Sequence, residues 1–536
     1  MAKFDGRSPA PSVQRTPDII THQGGVGFSR SPKDDLFLLG VANMVGEDDT
    51  FESASQRDTR FVDLIHKVAG DDPEWAARFI GWLRTGANMR SAPIVAAAEY
   101  VRSGAPGGRQ VVASVLQRPD EPGEMLAYWH SAHGRRLPQP IKRGVADAVT
   151  RLYTERNMLR YDGQSKNWRW GDVIDLTHPK ASAPWQSALF RHALDRRHGR
   201  ANEIPEALGI LRTDRYLLAL PEAVRRAHLP EAIAAGWSWE RLGGWLPGGM
   251  DAEAWEAVIP NMGLMAIVRN LRNFDEAGLD GEVVERIKAR LRNPDEVRRS
   301  RQFPLRFLSA WKNVASMRWG DALESALDAS LANVPYLPGR TLVLIDTSGS
   351  MYAGALGYRR HGGPRTGGET PQRYELAGTF GFAVARRAEH ADVVLFDTED
   401  RAVLGVNRTE SILRLVDAMR GYGGAGTDTL GALLRNYRGH DRVVFVTDEQ
   451  TGPAYFSRYR GYYYHDGRGV GSTWDQVNQA VRCPVYTWNL AGYGKGHTPI
   501  EGNWVTLGGL TDASFRLIPA LESRQRGLWP WDVTEG

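Results

Sequence analysis

Residues 342–351 read Leu-Val-Leu-Ile-Asp-Thr-Ser-Gly-Ser-Met, and no other stretch limits the fold as tightly. Four apolar residues form a buried strand, and the polar run after them stands at its carboxyl end. In an open α/β sheet, ligands bind at that edge. Asp346, Ser348 and Ser350 place one carboxylate and two hydroxyls on a short loop, where Gly349 permits a sharp turn. All three are hard oxygen donors, suited to Mg²⁺ or Mn²⁺ and poorly suited to zinc.

Two further pieces lie downstream. Thr427 stands on the Gly-rich run 423–428, and Asp448 follows the apolar run Val443–Val446. The three pieces together resemble the metal-ion-dependent adhesion site of von Willebrand factor A domains. That resemblance implies that Asp346, Ser348, Ser350 and Thr427 ligate one divalent cation, Mg²⁺ by preference, with Asp448 binding it directly or through water. A phosphatase of the haloacid dehalogenase type would need a second Asp where Ser348 stands. An aspartic protease would need Asp-Thr-Gly in an all-β chain. The surrounding rhythm is instead strand–helix–strand, with helices near 373–389, 409–420, 428–437 and 472–482. Strands are predicted at 392–396, 402–406, 442–447, 485–489 and 504–507, the doubly wound α/β pattern. This domain is placed at 338–525, followed by a tail at 526–536.

The preceding part has a different rhythm. Residues 1–30 carry Pro9, Pro11, Pro17 and a Gly-rich run, and read as an extended arm. From residue 31 to about 335 the apolar residues recur at three- and four-residue spacing, as in 61–65, 75–83, 141–149 and 262–268. Pro and Gly interrupt at short intervals, which predicts stacked antiparallel helix pairs in a solenoid or ring.

The net charge of +4 hides an uneven distribution. Residues 131–200 hold 14 Lys and Arg against 6 Asp and Glu, and residues 281–320 hold 10 against 4. Clustered surplus of this kind marks a polyanion-binding face. Within it, Lys142, Arg143, Lys166, Arg169, His178 and Lys180 supply groups for phosphates, with Trp168 and Trp170 among them. For the tryptophans, helix packing is favoured over a stacking platform.

The runs 143–149, 167–180, 265–271 and 301–308 resemble the TROVE module of the Ro autoantigen family, in which TROVE is followed directly by a von Willebrand A domain. The resemblance implies a closed ring of HEAT-like helical repeats completed by the A domain. It implies Y RNA or a similar small noncoding RNA on the outer face of the ring, with His178 in the family's RNA-binding motif. The single-stranded 3′ ends of misfolded RNA are expected in the central hole. The A domain would offer a docking point for an exoribonuclease or another protein. Small-RNA stability or quality control is the implied role.

Other features narrow the function. There is one cysteine, Cys483, so disulfides within the chain and Cys-based zinc sites are excluded. No signal core or membrane-length apolar run is present, which predicts a cytoplasmic protein with no membrane partner. No Ser or Cys nucleophile stands with a His in a recognisable motif, and there is no P-loop. A non-enzymatic RNA-binding protein is therefore expected. The alternatives are a Mg²⁺-dependent ribonuclease or phosphatase, and a metal-dependent protein-adhesion module. Two Gly/Arg/Tyr-rich loops, 352–373 and 451–472, flank the metal motif and could meet either RNA or protein.

Overall fold

The architecture comes from a computed structural model. It describes residues 18–20, 26–27, 29–42, 53–87, 89–163, 167–200, 203–300, 302, 304–314, 316–353, 371–405, 410–423, 426–449, 476–477, 479–491, 504–508, 518, 522 and 529–532. Lys166 and nearly all of both Gly/Arg/Tyr loops lie outside these residues.

After a two-residue antiparallel pair, β1 (Ile19–Ile20) with β2 (Val26–Gly27), the chain is helical from Pro32 to Asn333. Local chemistry sets the helix ends. Ser53 accepts a hydrogen bond from Gln56 N, and the Gln56 side chain accepts one from Ser53 N, so the helix Ala54–Asp71 starts on a capping box. Asp72 closes that helix and its carboxylate caps the next, Pro73–Thr85, which opens on Pro73. One residue thus turns the chain into an antiparallel neighbour. Further on, helix Gly108–Val115 packs against Gln139–Leu152 across Gly144. A Cβ there would lie 2.6 Å from Val112 Cβ and 2.7 Å from Arg109 O, so glycine permits the close approach.

The strands form one mixed six-stranded sheet: β3 (Leu337–Asp346), β4 (Ala388–Phe396), β5 (Asp400–Gly405), β6 (Arg442–Thr447), β7 (Val485–Asn489) and β8 (Trp504–Gly508). Their spatial order is β5-β4-β3-β6-β7-β8, parallel throughout except for the antiparallel edge strand β5. The α/β pattern expected from the sequence is present. Two strands start well before their predicted positions. β3 starts at Leu337 because a bulge between Leu337 and Arg340 absorbs Pro338 and Gly339. β4 starts at Ala388, directly after the helix Arg373–Arg387, and includes the exposed Glu389 and His390.

Alternation along the strands divides the core. Val343, Ile345, Val444, Val446 and Trp488 face a cluster continuous with helices from Leu217 onward. Leu342, Leu344, Val443, Phe445 and Val485 face a smaller cluster on the other side. A third core joins the helices from Leu36 to Leu211. Both ends of the chain meet on that third core. Helix Pro32–Ala42 packs against β8, and Trp529 and Trp531 pack among Phe37, Trp75, Phe79 and Trp82. The C-terminus therefore returns to the first helices and closes the molecule on itself.

Candidate functional site

The sheet reverses its winding between β3 and β6. From β3 the chain steps outward to β4 and β5, then returns to β6 on the other side of β3. A crevice at the carboxyl ends of these two strands is the switch point where open α/β sheets bind ligands. Asp346 ends β3 and Asp448 follows β6, so both carboxylates stand at that crevice.

The site is buried and tightly held. Asp346, Ser348, Ser350, Thr427, Asp448 and Glu449 are all buried. Thr447 Oγ1 donates to Asp346 Oδ2 at 2.6 Å, and Ser348 N donates to Asp346 Oδ1 at 2.7 Å. Ser348 Oγ and Ser350 Oγ are 3.3 Å apart. The loop is fixed from behind, where Thr347 N and Oγ1 both donate to Phe396 O. Burial, and then the neighbouring Asp448 charge, push the Asp346 carboxyl above its ordinary value. Arg373 stands close to Asp448, its Nη1 3.8 Å from Asp448 Oδ2. Thr427 Oγ1 is buried without a hydrogen-bond partner among the described residues.

Asp346, Ser348, Ser350 and Asp448 thus meet at one place, and Thr427 lies buried on the loop before helix Thr429–Asn436. The donor set is all oxygen, two carboxylates repel one another, and one buried hydroxyl lacks a partner among the described residues. Each of these fits a hard divalent cation. Sequence reasoning missed the neighbouring Glu449, which sits at φ +59°. It is bonded by Arg30 from the N-terminal segment and by Asn489 from β7. Only its position next to Asp448 could have pointed to it.

The described basic residues proposed for RNA lie in the helical part, on and beside the helices Gln139–Leu152 and Trp170–Thr177. Arg143 is exposed and Lys142 half-exposed on helix Gln139–Leu152. His178 and Lys180 are exposed just beyond helix Trp170–Thr177, and Lys180 O accepts from Thr150 Oγ1. Thr150 is seven positions after Arg143, nearly two full turns, so Arg143 and Lys180 share a face about 10 Å apart along the axis. His178 takes the left-handed conformation, φ 49°, at the helix C-cap. A side chain there costs roughly 1 kcal/mol relative to glycine. Arg169 differs from the others. It is largely buried, with Nη2 3.6 Å from Asp162 Oδ2. Trp170 is buried and stacks on Tyr153, ring centroids 3.6 Å apart, while Trp168 stays half-exposed.

Residues 234–318 match the TROVE domain family. Over 485 residues the chain is 22% identical to a Deinococcus radiodurans protein named RNA-binding protein RO60, with 82% of this chain and 85% of that one covered. The chain is similar to a Ro protein over most of its length, and part of it matches the TROVE domain. The crystal structure of the Deinococcus radiodurans Ro (RSR) protein has the same fold, a helical ring with an α/β domain. It aligns with a TM-score of 0.62 at 17% identity, over 91% of this chain and 99% of that one. The return of Trp529 and Trp531 to the first helices ties the last described segment to the start of the helical part. Among the described residues no helix is long and apolar enough to cross a membrane.

Proposed function

We propose that this Ro relative is an RNA-binding protein and not an enzyme. It holds Y RNA or a similar small noncoding RNA on the ring, and the single-stranded 3′ ends of misfolded RNA in the central hole, in a cytoplasmic role in small-RNA stability or quality control. The observation that carries this reading is the exposed basic face. Arg143, His178 and Lys180 have no ion-pair partner among the described residues, and Asp147, one turn on from Arg143, is neutralised by Arg109 at 2.7 Å. Unneutralised cations on one face are what a phosphate backbone requires. The name of the Deinococcus relative points the same way.

The A-domain crevice supports a second, compatible role. One Mg²⁺ held by Asp346, Ser348, Ser350 and Thr427, with Asp448 beside it, would supply a point where a partner's carboxylate can dock, an exoribonuclease being one such partner. The buried Thr427 hydroxyl, unpartnered among the described residues, favours this assignment. The central experiment is to purify the native protein with its RNA and sequence that RNA. Incubation of the pure protein with labelled RNA and Mg²⁺ should leave the RNA full-length. Shortening would replace this reading with a ribonuclease.

A further inference from the structure

Away from the metal crevice, a cleft of 140 Å³ opens between helices Glu121–His133 and Trp170–Thr177 and the segment joining Tyr153 to Tyr161. Four aromatic side chains line it, Tyr153, Tyr161, Trp168 and Trp170, with the carboxylates of Asp120 and Glu124 on one side. The Tyr153 hydroxyl and the Trp170 indole N–H are both buried, yet neither has a hydrogen-bond partner among the described residues. Leaving such groups unsatisfied costs about 1–3 kcal/mol each, and buried polar groups are normally matched. Burial holds the Tyr153 hydroxyl well above its usual titration range, so it keeps its proton and can donate.

The charges around the cleft are arranged unevenly. Asp120 is spanned by Arg90 and Arg118, at 2.9 and 3.1 Å. Glu124 pairs with Arg90 through Oε1 and remains 44% exposed, which leaves its carboxylate accessible from the cleft side. Two guanidinium groups frame the outer wall, with Arg118 5.7 Å and Arg160 5.5 Å from the Tyr161 ring centroid.

Chemistry selects the occupant. The cleft is open to solvent on one side, so it can admit a planar base edge-first, and aromatic walls favour a planar base. We propose that this cleft takes one unstacked guanine base from a single-stranded stretch of bound RNA. Guanine presents two adjacent N–H donors on one edge, which the Glu124 carboxylate oxygens can accept. Its O6 and N7 are acceptors, matching the Trp170 N–H and the Tyr153 hydroxyl. Adenine and cytosine place a ring acceptor beside their amino group, and that acceptor would face the carboxylate unfavourably. Uracil offers a single N–H between two acceptors. Arg118 and Arg160 stand where the flanking phosphates would pass. The proposal rests on the RNA-binding reading above and adds a base preference to it.

The test uses the full chain and fluorescein-labelled uridine octamers with a single central G, A or C, read by anisotropy. The G octamer should bind about tenfold tighter than the others, the lower part of the range for a bidentate base contact. Glu124→Gln should erase that preference, with circular dichroism confirming the fold. A 4-thiouridine placed beside the G should cross-link to residues 153–170. The cleft assignment is overturned by equal affinity for all three octamers, by cross-links elsewhere, or by failure of every octamer where a structured small RNA still binds. Failure of structured and single-stranded RNA alike would overturn the RNA-binding reading itself.

Discussion

Trp529 lies edge-on to Trp75, ring centroids 4.9 Å apart, so side chains from opposite ends of the chain share one aromatic cluster. Trp531 stacks parallel to Trp529 at 5.6 Å and also meets Trp75 and Trp82. Polar contacts pin the segment in place. Asp532 pairs with Arg78 at 2.7 Å, and Arg78 Nη2 donates to Trp531 O. Aromatic pairs of this geometry contribute about 0.5–1.5 kcal/mol each beyond area burial. The ring is therefore fastened by a few side chains on a short C-terminal stretch.

Replacing both tryptophans, Trp529→Ala with Trp531→Ala, should destabilise the protein by about 3 kcal/mol. The effect should be felt first in helix Pro73–Thr85, as faster amide hydrogen exchange there. Unchanged exchange in that helix would mean the tail does not hold the ring closed.

At the A-domain crevice the expected outcome has two signs. Asp346 and Asp448 repel each other in a buried site, so Asp346→Asn should melt at or above the temperature of the parent protein in the presence of a chelator. Saturating Mg²⁺ should raise the parent melting temperature, because a ligand that binds only the folded state stabilises it. The variant should not respond. Calorimetric titration with Mg²⁺ would check the same point, and gel shifts should find RNA affinity nearly intact. An equal Mg²⁺ response in both proteins would place the cation elsewhere.

A buried carboxylate in the helical part makes the pH prediction. Burial raises the Glu99 carboxyl, but hydrogen bonds accepted from Tyr128 at 2.6 Å and from His133 and His66 at 2.8 Å outweigh it and hold the group below 4.5. The unfolded chain then takes up the proton more readily than the folded one. Glu99 therefore contributes its full stability above the unfolded value of 4.5, and that contribution disappears as the pH falls through the lower folded value. Glu99→Gln should lower stability by about 1–3 kcal/mol at neutral pH and flatten the acid limb of the stability profile. Urea melts at stepped pH would measure both effects.

The parts of this molecule governed by local pattern were legible in the sequence. The four apolar residues before Asp346 form the end of β3, and the apolar runs before Asp448 and around Val485 are β6 and β7. A period of two and a turn residue are local properties, so one sequence carries them. What the sequence hid depends on distant partners. Arg169 looked like any other cation in a basic stretch, but Asp162 draws it inward. Trp529 and Trp531 looked like an ordinary tail, because Phe37 and Trp75 are remote in sequence. Glu449 gave no signal for the same reason, since Arg30 and Asn489 come from separate elements.

The last prediction concerns the exposed basic face. Arg143, His178 and Lys180 are exposed and sit on secondary structure held by other residues, so their replacement with Ala should not unfold the ring. Ile141, Val145, Ala148 and Val149 pack helix Gln139–Leu152 into the core, and the altered side chains take no part in that packing. Removing one phosphate-pairing cation should reduce the slope of log affinity against log salt by about 0.7–0.9. Filter binding of a structured small RNA across a salt series would give the slopes for the single and triple variants. An unchanged slope in the triple variant would show that these residues do not meet the RNA backbone. The search would then move to 281–320, where Arg298, Arg299 and Arg306 stand in the other basic segment.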